Sequence, residues 1–104
     1  MKRILTFIVV VVSISSMANG FEYDGLYYTI TSSNTVAVSS SPYYSGYHGI
    51  IVIPESVEYN GETYSVTEIG SSAFYRNSSL TSVTIPNSVR TIGGSAFFEC
   101  GVRS

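Results

Sequence analysis

The sequence predicts a mainly β protein with short helical turns: an N-terminal β-hairpin cap followed by about two turns of a repeat solenoid. Three observations carry this expectation. The segment Glu68–Asn77 recurs as Thr91–Cys100 at an offset of 23 residues, keeping an Ile-Gly pair and an Ala-Phe pair. Upstream, Ile51–Val57 recurs as Val83–Val89 at an offset of 32, keeping Ile-Pro-x-Ser-Val. The nine residues by which the offsets differ contain Asn60-Gly61, flanked by alternating Tyr, Thr and Val. Self-similarity at a period of 20–50 residues is the mark of stacked repeats. An Asn-Gly pair inside such alternation is a hairpin signal, because a type I′ turn needs two residues that tolerate positive φ.

Taken in order, the chain of 104 residues begins with Met1-Lys2-Arg3, an apolar run from Ile4 to Val12 broken only by Thr6, and a small polar stretch from Ser13 to Gly20. This is the order of a secretory signal peptide, and the run is too short to span a bilayer. Small residues in Ser16-Met17-Ala18 place the leader at 1–18, with an alternative end at 20. The other reading of the run is a buried N-terminal strand, since Val and Ile favour strands. Residues 19–46 form the predicted cap. Asp24-Gly25 is a turn pair, Leu26, Tyr28 and Ile30 alternate with Tyr27, Thr29 and Thr31, and Thr35–Val38 alternates again after Ser32-Ser33-Asn34. That pattern reads as a β-hairpin or small sheet placed over the open edge of the first repeat.

Residues 47–79 are the first repeat with its hairpin insertion, and 80–104 the second. In the second, Leu80-x-x-Val83-x-Ile85 makes a short strand that Pro86 ends, and Ser82 and Thr84 face outward. Gly93-Gly94 allows a tight turn, and Ala96 and Phe97 fill a short helical or 3₁₀ segment. The predicted repeat core is Ile51, Ile53, Val57, Ile69, Ala73, Phe74, Asn77, Leu80, Val83, Ile85, Val89, Ile92, Ala96, Phe97 and Cys100. At the first strand Ile50 and Val52 stand where the second has Ser82 and Thr84. This apolar pair is read as covered by the cap or the hairpin, the alternative being an exposed binding patch.

These blocks, Leu80–Gly93 followed by Ser95-Ala96-Phe97, and the Ile-Pro-x-Ser-Val, Ile-Gly and Ala-Phe elements of both copies, resemble the BspA-like leucine-rich repeat. The Asn-Gly hairpin also resembles the entry repeat of that family. The resemblance implies a secreted or cell-surface protein of a host-associated bacterium or a parasitic protist, with adhesin-like protein binding in some members. It brings no catalytic residues.

Composition narrows the chemistry. Without its leader the chain keeps Arg76, Arg90 and Arg103 against seven acidic residues, a net charge of −4. So few cations argue against nucleic acid and against an anionic membrane surface. One cysteine, Cys100, forbids an intramolecular disulfide but invites an intermolecular one. His48, the one histidine, aligns with Leu80 and is expected to be partly buried at the cap edge; with one distant Cys it cannot make a zinc site. Neither a nucleophile–base pair nor a calcium pattern occurs, so no enzyme and no cofactor are expected. Asn77-Ser78-Ser79 fits the N-glycosylation pattern, but a ladder role for Asn77 would hide it.

The candidate partner-binding residues are Tyr43, Tyr44 and Tyr47, in a Tyr/Ser/Gly loop of the kind that adaptable binding surfaces use, and Ser82 and Thr84 on the outer strand face. The competing reading of the loop is that its rings pack on the cap. The sequence stops at Ser104 with no capping segment, where a further entry block is expected. Self-association through that open edge or through Cys100 is therefore one expectation. The functional expectation is an exported, adhesin-like binding module that contacts host or neighbouring-cell proteins. The alternative is a non-binding N-terminal cap or fragment of a longer surface solenoid.

Overall fold

The structure, a computed structural model, describes residues 20–42 and 46–102. The leader at 1–18, Tyr43, Tyr44 and the last two residues lie outside them. The described residues hold eight strands and no helix.

The cap is a three-stranded antiparallel meander of β1 (Gly20–Tyr23), β2 (Leu26–Ser32) and β3 (Thr35–Ser39). Asp24 and Gly25 join β1 to β2 with φ of 51° and 90°, the two positive values that a type I′ turn requires. Leu26 and Tyr28 point inward and their neighbours outward, as a two-residue period dictates. The hairpin of the first repeat follows the same rule. Asn60 and Gly61, with φ of 52° and 80°, connect β5 (Ser56–Tyr59) to β6 (Glu62–Ile69).

The cap is joined to the repeats by backbone. Strand β3 pairs in parallel with β6, and β6 pairs in parallel with β8 (Thr91–Ile92). Val38, Ile69 and Ile92 therefore lie side by side, and Ala37, Glu68 and Thr91 form the adjacent row. The Gly70 N–H donates to the Val38 carbonyl and the Gly93 N–H to the Ile69 carbonyl, both at 2.8 Å. The cap thus supplies an extra rung of the repeat ladder, although its sequence carries no repeat motif. Glycine recurs after Ile because the bend brings backbones together. A Cβ on Gly93 would lie 2.5 Å from the Ser71 nitrogen.

A second sheet pairs β4 (Gly49–Val52) with β7 (Leu80–Thr84) in parallel, with Ile51 beside Val83 and Val52 beside Thr84. The two sequence offsets are thus the two observed registers, 32 in this sheet and 23 along β6 and β8.

The segments that close each turn, 70–77 and 93–100, are chained β-turns where a helical segment was expected. Ala73, Tyr75 and Asn77 each donate to the carbonyl three residues back. The alternate donors, Ser72, Phe74 and Arg76, point out of the turn and bond the carbonyls of Gly94, Ala96 and Phe98 at 2.8–3.0 Å. A helix would direct all of these N–H groups along its own axis. Four non-glycine residues sit left-handed in these segments, Ser72, Arg76, Ser95 and Glu99, with φ of 53–59°. Such a conformation costs roughly 1–2 kcal/mol per residue. Between the two turns it is offset by the three shared hydrogen bonds.

The core runs from Phe21, Leu26 and Tyr28 in the cap, through Val36, Val38, Val57, Val66 and Ile69, to Ala73, Phe74, Leu80 and Ala96. Phe21 stacks on Tyr59 at 4.2 Å between centroids, closing the curled sheet at the cap end.

Candidate functional site

Three surfaces could engage another molecule, and each follows from how a rung is built. The first is the outer face of β4 and β7. With Ile51 and Val83 directed to the core, the two-residue period turns Ile50, Val52, Ser82 and Thr84 outward, Ile50 beside Ser82 and Val52 beside Thr84. Ile50 is 72% exposed and Val52 65%. The expectation that cap or hairpin covers this pair is corrected. Both elements pack on the β6 side of the molecule and leave β4 open on its outer face. Ser82 and Thr84 lie exposed, as the alternation required.

The second surface runs along the turns. Tyr75 and Phe98 stack at 5.8 Å and are exposed, and Arg76 Nε donates to Glu99 Oε1 at 2.8 Å beside them. That carboxylate holds the Arg76 guanidinium above its ordinary pKa by hydrogen bonding and charge attraction.

The third surface is the edge of the second turn. Ile53 and Ile69 are buried at 2% and 0%, but Ile85 and Ile92, one rung further on, are 39% and 51% exposed. Both belong to the expected core and are corrected here. Each first-turn residue is covered by its second-turn counterpart, and no described residue lies beyond the second turn. Val83, Ile85, Phe97 and Val102 line a groove of about 390 Å³ on this edge. Val89 and Cys100 are half-buried for the same reason.

Tyr47 is also corrected as a partner-binding residue. It is 5% exposed, and its ring packs tilted, at 53°, against Phe74, which itself stacks on Phe97, with 5.3 Å between successive centroids. Its hydroxyl donates to the Ser39 carbonyl at 2.7 Å and accepts from the Tyr27 N–H at 3.0 Å. Burial pushes its pKa up to about 12, although the Tyr27 bond to the phenolate works against the shift. Burial likewise raises Tyr28, whose hydroxyl is enclosed with no hydrogen-bond partner among the described residues.

Asn77 acts as a ladder residue. Its Oδ1 accepts from the Tyr47 N–H and its Nδ2 donates to the Tyr75 carbonyl, each at 2.9 Å. Cys100 holds the equivalent place and is half-buried. His48 is exposed, contrary to the expected partial burial. An irregularity after Gly49 sets Gly49, and not His48, opposite Leu80. Among the described residues no group of three or more His, Cys, Asp or Glu is gathered to hold a metal ion. No helix there is long and apolar enough to cross a membrane.

A cap whose last strand serves as a rung, followed by two parallel turns closed by ladder residues, defines a leucine-rich-repeat solenoid. Residues 55–104 match the family described as "BspA type Leucine rich repeat region (6 copies)", and this part of the chain belongs to the BspA-type leucine-rich repeat family. Among solved structures, a leucine-rich repeat protein from Bacteroides ovatus is 30% identical, with a TM-score of 0.64 over 79% of this chain and 22% of its own. One from Bacteroides capillosus is 28% identical, with a TM-score of 0.64 over 82% of this chain and 64% of its own. A leucine rich cell surface protein from Faecalibacterium prausnitzii, 22% identical, shares the fold with a TM-score of 0.54 over 80% of this chain and 29% of its own. The chain spans less than two thirds of the length of each. No curated protein matches it.

Proposed function

We propose that this chain is an exported, adhesin-like binding module that contacts proteins of a host or a neighbouring cell through the outer face of β4 and β7. The observation that carries the reading is the exposed apolar pair Ile50 and Val52, flanked by the hydroxyls of Ser82 and Thr84. An apolar centre beside polar groups is the anatomy of a protein interface. The neighbour from Faecalibacterium prausnitzii is described as a cell surface protein, which supports a surface location. The charged, apolar and small-residue order of residues 1–18 supports export.

The test is binding of the mature chain to purified extracellular-matrix proteins and to intact epithelial cells, set against the double variant Ile50→Ser, Val52→Thr. Changes on an exposed face leave stability within about 0.5 kcal/mol, so folding is preserved. Loss of binding in the double variant, with an unchanged melting temperature, is the expected result. Equal binding by both proteins would refute the face. The second reading, a non-binding beginning of a longer surface solenoid, is favoured by the exposed Ile85 and Ile92 and by the greater length of the similar structures. It expects no binding by either protein.

A further inference from the structure

We infer that the free edge of β4 pairs with the same edge of a second copy of this chain, antiparallel about a two-fold axis at Ile51, and that each His48 then meets the partner's Glu55. The argument starts from the direction of the backbone groups in β4. Gly49 N–H donates to the Ser79 carbonyl and Ile53 N–H to the Thr84 carbonyl, so the odd positions face β7. The alternation of a strand then turns the N–H and carbonyl groups of Ile50 and Val52 to the opposite edge. Those groups have no hydrogen-bond partner among the described residues.

This edge is unguarded. Sheet edges are commonly blunted by charge or proline against pairing with another chain. The end strands of the larger sheet, β1 and β5, carry Glu22 and Glu58. Strand β4 is Gly-Ile-Ile-Val, uncharged and rich in β-branched residues, and with β7 it forms a sheet of only two strands. Such a small sheet gains most from further strands.

The residues that flank the strand choose the occupant and the register. Pro54 has no N–H to donate, and Gly49 is left-handed with φ of 69°, so the strip able to pair is Ile50–Val52. A two-fold axis at Ile51 is the antiparallel register that satisfies all of its groups. Ile50 then exchanges N–H and carbonyl bonds with the partner's Val52, as an opposed hydrogen-bonded pair does. The same axis sets His48 opposite the partner's Pro54, one residue from the partner's Glu55. Both His48 and Glu55 are exposed. Their backbones are held on either side, since Tyr47 N–H donates to Asn77 Oδ1 and the Glu55 carbonyl accepts from Val66 N–H. An imidazole N–H facing a carboxylate at both ends is a complementarity that an arbitrary extended peptide does not bring. The pairing goes beyond the face reading and stands without it. It uses the backbone edge of β4 and leaves the outer face open, where Ile50 would lie beside the partner's Val52. The strip is short, so the dimer is of the weak, concentration-dependent class.

The experiment is sedimentation velocity of the mature chain at rising concentration, with amide hydrogen exchange read at both ends of the range. The expected result is a monomer–dimer equilibrium in which the Ile50 and Val52 amides slow about tenfold, while those of Gly49 and Ile53, already bonded, change little. A chain that stays monomeric, or a dimer that leaves the Ile50 and Val52 amides fast, overturns the inference. Val52→Pro removes an edge donor that no described group accepts, and should abolish the dimer while circular dichroism shows the fold kept. Should that variant unfold, Glu55→Lys tests the same contact from an exposed position. It should weaken the dimer about fivefold, since two exposed pairs are lost, and adding His48→Glu should restore it. A dimer indifferent to Glu55→Lys overturns the register. Binding to matrix proteins is scored separately. A monomer that binds them refutes this pairing alone, and a dimer that binds none refutes only the face.

Discussion

Asn77 is the residue on which the joint between cap and first turn depends, and Asn77→Ala measures that joint. The side chain accepts the Tyr47 N–H and donates to the Tyr75 carbonyl, both at 2.9 Å. Each bond contributes roughly 0.5–1.5 kcal/mol net, and a buried donor left without a partner costs about 1–3 kcal/mol. Tyr47 is buried, so its N–H is such a donor. The amide also packs on Gly46, where a Cβ would come within 2.6 Å of Nδ2. The expected loss is therefore about 2–3 kcal/mol. For a chain of this size, total stability on the order of 5–15 kcal/mol is ordinary, so the variant loses a substantial share. Equilibrium urea unfolding followed by far-ultraviolet circular dichroism is the assay. With a slope near the lower end of the usual range, about 1 kcal/mol per molar, the midpoint should fall by roughly 2 M. A fall of less than about 0.5 kcal/mol would refute the ladder role. The reciprocal change, Cys100→Asn, introduces an amide where no described rung covers it and should move stability by no more than about 1 kcal/mol.

Other substitutions probe separate forces. Phe74→Ala empties the centre of the Tyr47–Phe74–Phe97 row of rings and should cost about 3–5 kcal/mol, read as a fall in melting temperature or outright loss of the cooperative transition. Tyr28→Phe removes a hydroxyl enclosed without a partner, so urea unfolding should show it neutral or more stable by about 1 kcal/mol. Glu99→Ala breaks an ion pair between two largely exposed side chains and should change stability by less than about 1 kcal/mol in the same assay. The pH dependence follows from Tyr47. Its folded pKa of about 12 lies above its ordinary value of 10.0, so the native state holds the phenolic proton more tightly. The stabilisation is fully present below pH 10 and is lost as pH rises toward 12. Alkaline titration of the melting temperature should show this fall, and Tyr47→Phe should reduce it.

The repeat was legible because it is written twice. Both offsets reappear as strand registers, and the two hairpin turns follow from Asp24-Gly25 and Asn60-Gly61, whose positive φ the sequence demands. Three features were not legible, each for a physical reason. The cap strand joins the ladder through backbone hydrogen bonds, which any sequence can make, so Ala37-Val38-Ser39 needs no motif to act as a rung. The closing segments are chained turns because half of their N–H groups bond the next rung, a tertiary effect that local propensity does not encode. Burial near the edges depends on what lies beside each rung. Tyr47 could stand in a binding loop or over Phe74, and only the fold decides. Likewise Ile50 and Val52 would read as core strand residues on hydrophobicity alone, yet no described residue covers their face.

These particulars explain how a solenoid can begin without exposing the core of its first turn. The molecule starts by imitation. Val38 occupies the place of Ile69 and Ile92, and Tyr47 occupies the place of Phe74 and Phe97, so the first true repeat meets what it would meet inside a longer stack. Imitation on that side settles the polarity of the other. With every central turn N–H of the first repeat directed toward the second, the second directs its own away from the cap. Two of the three candidate surfaces therefore differ in kind. On the proposed binding face of β4 and β7, specificity would rest on side chains that can change without disturbing the fold, Ile50, Val52, Ser82 and Thr84. The edge of the second turn instead presents backbone donors that side-chain substitution cannot remove, beside the groove of Val83, Ile85, Phe97 and Val102. Substitutions on the outer face should thus alter partner choice and leave stacking intact. Substitutions in the groove, such as Phe97→Asp, should disturb stacking first.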